Sequence, residues 1–156
     1  MPRDNRMSRS LHALIHLDRH VKRATSEAMA KMLGTNPVVV RRMMSGLREK
    51  GYVVSEKGHG GGWELRVELN AITLLDVYQA IGSPALFSIG PAADPSPCLV
   101  EHAVDERLDQ ALNEAEVVLL SRFSQITVAD IADDYLNKMA KLGLEAEPHP
   151  LCSNES

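Results

Sequence analysis

Apolar residues recur at helical spacing from Ser8 onward, with Leu11, Leu14, Ile15, Leu17 and Val21 on one face. Ser8 or Ser10 is placed to cap this helix, and the pattern fades near Arg23. Thr25-Ser26-Glu27 opens a second helix with Ala28, Met29, Met32 and Leu33 inward, and Gly34 stops it. Asn36 then reads as an N-cap, with Pro37 at the first helical position, where a missing N–H costs nothing. This third helix runs to about Lys50 with Val40, Met43, Met44 and Leu47 as its inner face, and Gly51 ends it.

The period changes next. Tyr52-Val53-Val54-Ser55 and Trp63-Glu64-Leu65-Arg66-Val67 are short β-type runs around the glycine-rich stretch Glu56–Gly62, which predicts a two-stranded hairpin. Thr73–Ile81 predicts a short amphipathic helix stopped by Gly82-Ser83-Pro84. Residues 82–97 are rich in Gly and Pro and read as a loop. A long helix follows from Leu99 to about Phe123. Val104, Leu108, Ala111, Ala115 and Val118 alternate along it in steps of four and three, the seam of a helix–helix packing. Thr127-Val128-Ala129-Asp130 reads as a capping box for a last helix with Ile131, Tyr135, Leu136 and Met139 inward. No internal repeat is present.

Helix, helix, tight turn, helix and hairpin is the order of a winged helix–turn–helix. The expected fold is therefore mainly α with a small β-hairpin wing, plus a long dimerisation helix. The divisions are a tail over 1–7, the winged domain over 8–82, a Gly/Pro-rich loop over 83–98, dimerisation helices over 99–142 and a polar tail over 143–156.

Composition narrows the function. The 156 residues suit one ordinary domain with tails, and 44% apolar with 24% charged residues suits a folded chain. No apolar run approaches the roughly 20 residues of a membrane span, and no signal-peptide pattern is visible, so the expectation is a cytoplasmic protein without a membrane partner. Aromatics at 4% disfavour a base-stacking platform. Two cysteines, Cys98 and Cys152, are too few for a disulfide framework.

Charge is unevenly placed. Residues 1–68 hold 13 Lys and Arg against 7 Asp and Glu; residues 69–156 hold 4 against 14. The basic half carries the helix–turn–helix, which points to a polyanion partner. In such a motif the third helix enters the major groove through its first turns. Those turns present Thr35, Asn36, Val38, Val39, Arg41 and Arg42. The arginines suit guanine edges or phosphates, and the valine methyls suit thymine. Thr25 at the second helix start, and Lys57 and His59 on the wing, complete the expected DNA contacts. The glycine run is not a nucleotide-binding loop, because a strand follows it and no Lys-Ser/Thr pair does.

These residues carry a resemblance. Gly34–Met44, Leu47-Arg48-Glu49-Lys50-Gly51-Tyr52-Val53, Lys57-Gly58-His59-Gly60-Gly61-Gly62-Trp63-Glu64-Leu65 and Ile72–Ile81 resemble the Rrf-two family of bacterial regulators, over about Ser8–Ala140. The resemblance implies a homodimer joined through the long helix and bound to a roughly palindromic operator. It implies DNA-contact roles for Asn36, Val38, Val39, Arg41, Arg42 and Lys57. The family commonly has serines and a tyrosine where this chain has Asn36, Val38 and Val39, so the operator does not transfer. Cluster-binding members place three cysteines between the wing domain and the long helix; this chain has Cys98 alone there. It looks closer to the cysteine-poor, YwnA-like members.

Other chemistry is weaker. Cys98 begins a helix, a position that favours thiolate, with His102 one turn on, so it is the sensor candidate. No orienting third group supports a Cys–His enzyme. His12, His16 and His20 repeat every four residues, but no carboxylate or cysteine joins them, so a packed or solvated stripe is expected and no metal. The expectation is a DNA-binding transcriptional regulator: a homodimeric repressor whose partners are duplex DNA and a second copy, with no catalytic residue, no cofactor and an unassigned effector. The alternatives are a redox, iron–sulfur or metal sensor acting through Cys98, and a winged module that binds a protein.

Overall fold

Side-chain caps set several helix starts. A computed structural model describes residues 3–19 and 21–144. The helices are α1 (Arg6–Arg19), α2 (Ser26–Leu33), α3 (Pro37–Glu49), α4 (Leu74–Ala80), α5 (Leu99–Gln125) and α6 (Val128–Lys141). Thr25 and Asn36 cap α2 and α3 by accepting the backbone N–H of Ala28 and of Val39. Thr73 and Thr127 each close a capping box, with Asp76 and with Asp130. Gly34 ends α2 at φ +65°, a left-handed cap that a side chain would strain.

The α1 start differs from expectation. Neither Ser8 nor Ser10 is its cap. The Asp4 carboxylate accepts the Arg6 N–H at 3.0 Å, so part of the expected tail is structured. Ser10 is buried inside the helix and its hydroxyl donates to the Arg6 carbonyl at 2.8 Å. The helix also ends at Arg19, short of Arg23.

Strands β1 (Arg23–Ala24), β2 (Val53–Glu56) and β3 (Gly62–Leu65) form an antiparallel sheet in the order β1-β3-β2. The expected two-stranded hairpin thus gains a third strand. Arg23 sits opposite Glu64 and Ala24 opposite Trp63. A short 3₁₀ turn over Leu69–Ala71 leads into α4.

One buried cluster joins these elements. Leu14 of α1, Met29 of α2, Val40, Met44 and Leu47 of α3, Val53, Ile72, Val77 and Val128 are all fully buried. Each large side chain contributes about 1.5–3 kcal/mol on burial. The expected inner face of α3 is its buried face. In α6 the deepest residues are Val128 and Ala132; Ile131, Tyr135, Leu136 and Met139 are only half-buried.

The start of α6 is stitched to the start of α4. Leu74 N–H donates to the Ile126 carbonyl at 2.9 Å, and Val128 N–H to the Ile72 carbonyl at 2.8 Å. Thr73 and Thr127 form the antiparallel bridge between them. The C-terminal end of the long helix α5 is therefore tied to the winged domain. No residue of α5 is fully buried. Val104 and Val118 are exposed, as are Ala111 and Ala115, while Leu108 is half-buried. Residues 83–97 contain neither helix nor strand, as expected. Among the described residues no helix is long and apolar enough to cross a membrane.

Candidate nucleic-acid interface

The helix α3 shows solvent a face that includes Val38, Arg41 and Arg42. Successive helical residues point about 100° apart. Arg41 therefore turns to one flank of α3 and Arg42 to the other.

On the first flank lies a groove of about 490 Å³ between α3 and the wing. Thr25, Arg41 and Lys57 line it, which brings together three expected contacts. Ser45, Arg48 and Ser55 line it as well. Sequence reasoning missed Ser45 and Arg48, although they follow Arg41 by four and seven positions on the same stripe. Arg48 is held in place. Its guanidinium lies 5.7 Å from the Trp63 ring centre and donates to Ser55 Oγ at 3.3 Å. Arg41 donates to the Glu27 carboxylate at 2.8 Å, an exposed ion pair.

The wing is braced from behind. Arg23 pairs with Glu64 at 2.6 Å and with Glu56 at 3.2 Å, and donates to the Gly60 carbonyl at 3.1 Å. The Arg23 hydrogen bond holds the Glu64 carboxyl below its ordinary pKa, and the Glu64 bond raises that of Arg23. Gly62 at φ +140° lies where a Cβ would meet the Ala24 carbonyl carbon at 2.8 Å, so the wing strand passes close to β1. Lys57 and His59 are exposed on the wing turn.

On the second flank, Val39 and Arg42 line a recess of about 270 Å³ with Met43, Arg6, Arg9, Ala80 and Ile81. Arg6 and Arg9 had no local sign in the sequence, because α1 and α4 bring them there. Thr35, Asn36 and Val38 stand at the start of α3; Thr35 is half-buried, and the other two are exposed.

Cys98 is exposed at the N-cap of α5 and makes no side-chain cap bond. The His102 ring turns its Nε2 to the Ser96 carbonyl. His12 and His16 face each other, Nε2 to Nε2 at 2.8 Å. His20 and Cys152 lie outside the described residues. Among the described residues no three His, Cys, Asp or Glu side chains gather as metal ligands. The described donor set thus does not fit an iron–sulfur cluster, which takes several thiolates.

Residues 3–134 match the family model described as "Rrf2: Iron-dependent Transcriptional regulator". The chain is similar to YwnA of Bacillus subtilis, named as an HTH-type transcriptional regulator, at 28% identity over 82% of this chain and 95% of that one. It is also similar to a crystal structure from Lactobacillus plantarum described as a transcriptional regulator, at 28% identity and a TM-score of 0.72, over 89% of this chain and 95% of the other. CymR of B. subtilis shares the fold at 21% identity and a TM-score of 0.56, over 85% of this chain and 97% of that one. With the family model covering most of its length, the chain belongs to the Rrf2 family of transcriptional regulators.

Proposed function

We propose that this regulator is a homodimeric repressor that binds a palindromic operator in duplex DNA. The observation that carries the reading is the groove between α3 and the wing, lined by Arg41, Arg48 and Lys57, with Glu27 paired to Arg41 and Glu56 paired to Arg23 at its edges. A helix with a basic flank beside a basic hairpin suits a major groove and its bordering phosphates. Asn36 caps α3 through Oδ1 and is exposed at its start. Val38 is 60% exposed at the start of α3, where its methyls are free to meet a thymine methyl. Thr25, Thr35, Val39, Arg42 and His59 complete the proposed contact set.

The second copy is supported by α5. Leu99, Val100, Ala103, Val104, Leu108 and Ala111 form an open apolar surface along its first half, with Arg107 beside them. Val118 extends the apolar side about two further turns at 69% exposure. A stripe of this length on a helix about 40 Å long suits the seam of a two-fold dimer. Two copies then place two recognition helices at a fixed spacing, and a dimer reads a palindrome. The reading assigns the chain no catalytic residue and no cofactor, and places it in the cytoplasm. No effector follows from the described residues.

The test is anisotropy of a labelled duplex from the gene's own upstream region, titrated with salt, beside sedimentation of the free protein. A dimer touching many phosphates gives a log–log salt slope of several units. A monomer, or weak binding indifferent to salt, would count against the reading and favour a module that binds protein.

A further inference from the structure

We propose that Arg9 and Arg42 form a second phosphate-binding site, on the flank of α3 opposite the wing. This rests on the DNA-binding reading and extends it: each protomer grips both backbones that border the major groove.

A helix about 10–12 Å across fills a major groove about 12 Å wide. Phosphates then stand on both of its sides. The wing flank supplies Arg41, Arg48 and Lys57. The opposite flank is built by α1 and α4. Gly46 of α3 lets α4 approach so closely that an added Cβ would lie 2.1 Å from the Ala80 carbonyl oxygen. Arg6 then ties the first turn of α1 to the end of α4. It donates to the Ile81 carbonyl at 3.3 Å while paired to Asp4 at 2.6 Å. Arg6 is thus a structural tie, its charge matched by Asp4.

Arg9 stands one turn further along α1 and lines the same recess as Arg42. Among the described residues neither guanidinium has a hydrogen-bonded or ion-paired partner. That sets them apart from Arg41, paired with Glu27, and Arg23, paired with Glu56 and Glu64. Two uncompensated cations share a recess with Val39 and Met43, which offer apolar surface to the arginine stems. A divalent or bidentate anion at the rim is the complement of such a pair, and the DNA backbone beside α3 brings phosphates to it.

The experiment compares the wild-type chain with R9Q, R42Q and R9K on two duplexes of equal length, one from the upstream region and one scrambled. Each lost phosphate contact lowers the salt slope by about 0.9, hence by about two units in a dimer. R9Q and R42Q are expected to show that drop and to weaken both duplexes by a similar factor, about tenfold or more. R9K keeps the charge and is expected to keep the wild-type slope. If R9Q and R42Q retain the full slope while the wild type binds steeply, the second site is overturned and the DNA reading stands. If R42Q weakens only the upstream duplex, Arg42 reads a base and the site is overturned. If the wild type binds neither duplex at about 50 mM salt, the DNA reading falls, and the second site with it.

Discussion

The indole Nε1 of Trp63 donates a buried 2.9 Å hydrogen bond to the Ser26 hydroxyl, across 37 positions of sequence. It fastens wing strand β3 to the first residue of α2, and Arg48 of the recognition helix lies over the same ring. The wing, α2 and α3 therefore share one anchor. Ser26→Ala leaves the indole N–H buried without its partner, at a cost of about 1–3 kcal/mol. The melting temperature is expected to fall by about 2–4 °C per kcal/mol in a chain of this size. Trp63 is the only tryptophan, so its fluorescence reports the loss at the anchor itself. An unchanged melt with unchanged emission would show that the bond contributes nothing.

Gly46 and Ala80 make a close approach between α3 and α4. A Cβ on Gly46 would overlap the Ala80 carbonyl oxygen at 2.1 Å, and backbone cannot swing aside as a side chain can. Gly46→Ala should therefore destabilise, although alanine is the better helix former by about 1 kcal/mol. Overpacking of this kind costs about 1–3 kcal/mol or more, which reverses the sign of the propensity. Urea denaturation reads it, with Ser45→Ala as the neighbouring control. A Gly46→Ala chain as stable as wild type would mean that α4 shifts freely.

The legible parts of the fold were those with strong local signals. Asn36 and Pro37 fix the start of α3 and Gly51 its end, so the apolar period between them had one solution: Val40, Met43, Met44 and Leu47 are the buried set. The capping box at Thr127 was equally local. What escaped depends on distant partners. β1 is two residues long, too short for any period, and exists because β3 pairs with it. Ser10 looked like a cap because serine favours caps, yet it bonds back to Arg6 inside the helix. In α6, small Ala132 reaches the core because it lets the helix approach, while the larger Ile131 and Leu136 stay at its edge. In the candidate groove, the proposed contacts Thr25, Arg41 and Lys57 were legible from motif order. Arg9 was not, since only the packing of α1 beside α3 and α4 gives it a place there.

Arg23 and Glu64 make wing stability depend on pH in one direction. The arginine holds the Glu64 carboxyl below its ordinary value of about 4.3. A carboxyl depressed in the folded state stabilises above its unfolded pKa, and that stabilisation is lost as pH falls through the folded pKa. The melting difference between wild type and Glu64→Gln should be constant from about pH 6 to 8 and shrink below about pH 4.3. A difference that persisted undiminished at about pH 3 would assign it to packing instead of charge.

Glu27 places a carboxylate inside the basic groove and occupies Arg41 at 2.8 Å. Both side chains are more than half exposed, so the pair adds little to stability. Its consequence is for binding. Glu27→Gln removes one repulsive charge and frees Arg41, so affinity for any duplex should rise and the salt slope should steepen. The upstream and scrambled duplexes should gain by a similar factor, leaving the ratio between them unchanged. A gain confined to the upstream duplex would mean that Glu27 opposes the specific complex alone. The melting temperature should move by less than about 2 °C, because exposed pairs contribute about 0–1 kcal/mol.

The exposed stripe of α5 makes the sharpest prediction about assembly. Val104 is 56% exposed and Val118 is 69% exposed, and neither belongs to the buried cluster. A charge at either site should leave the winged domain folded. In a dimer seam the same charge would be buried opposite its own copy, which costs several kcal/mol in apolar surroundings. Val104→Glu is therefore expected to shift the chain from dimer to monomer in sedimentation, with its helical circular dichroism largely kept. DNA affinity should then collapse toward that of one half-site, because the second recognition helix no longer binds at the effective concentration set by the first, on the order of millimolar. Salt dependence separates this from loss of the interface itself: the slope should fall to about half, since each protomer keeps its own phosphate contacts. A Val104→Glu protein that stays dimeric would place the seam elsewhere. One that becomes monomeric yet binds the full site undiminished would remove the dimer from recognition.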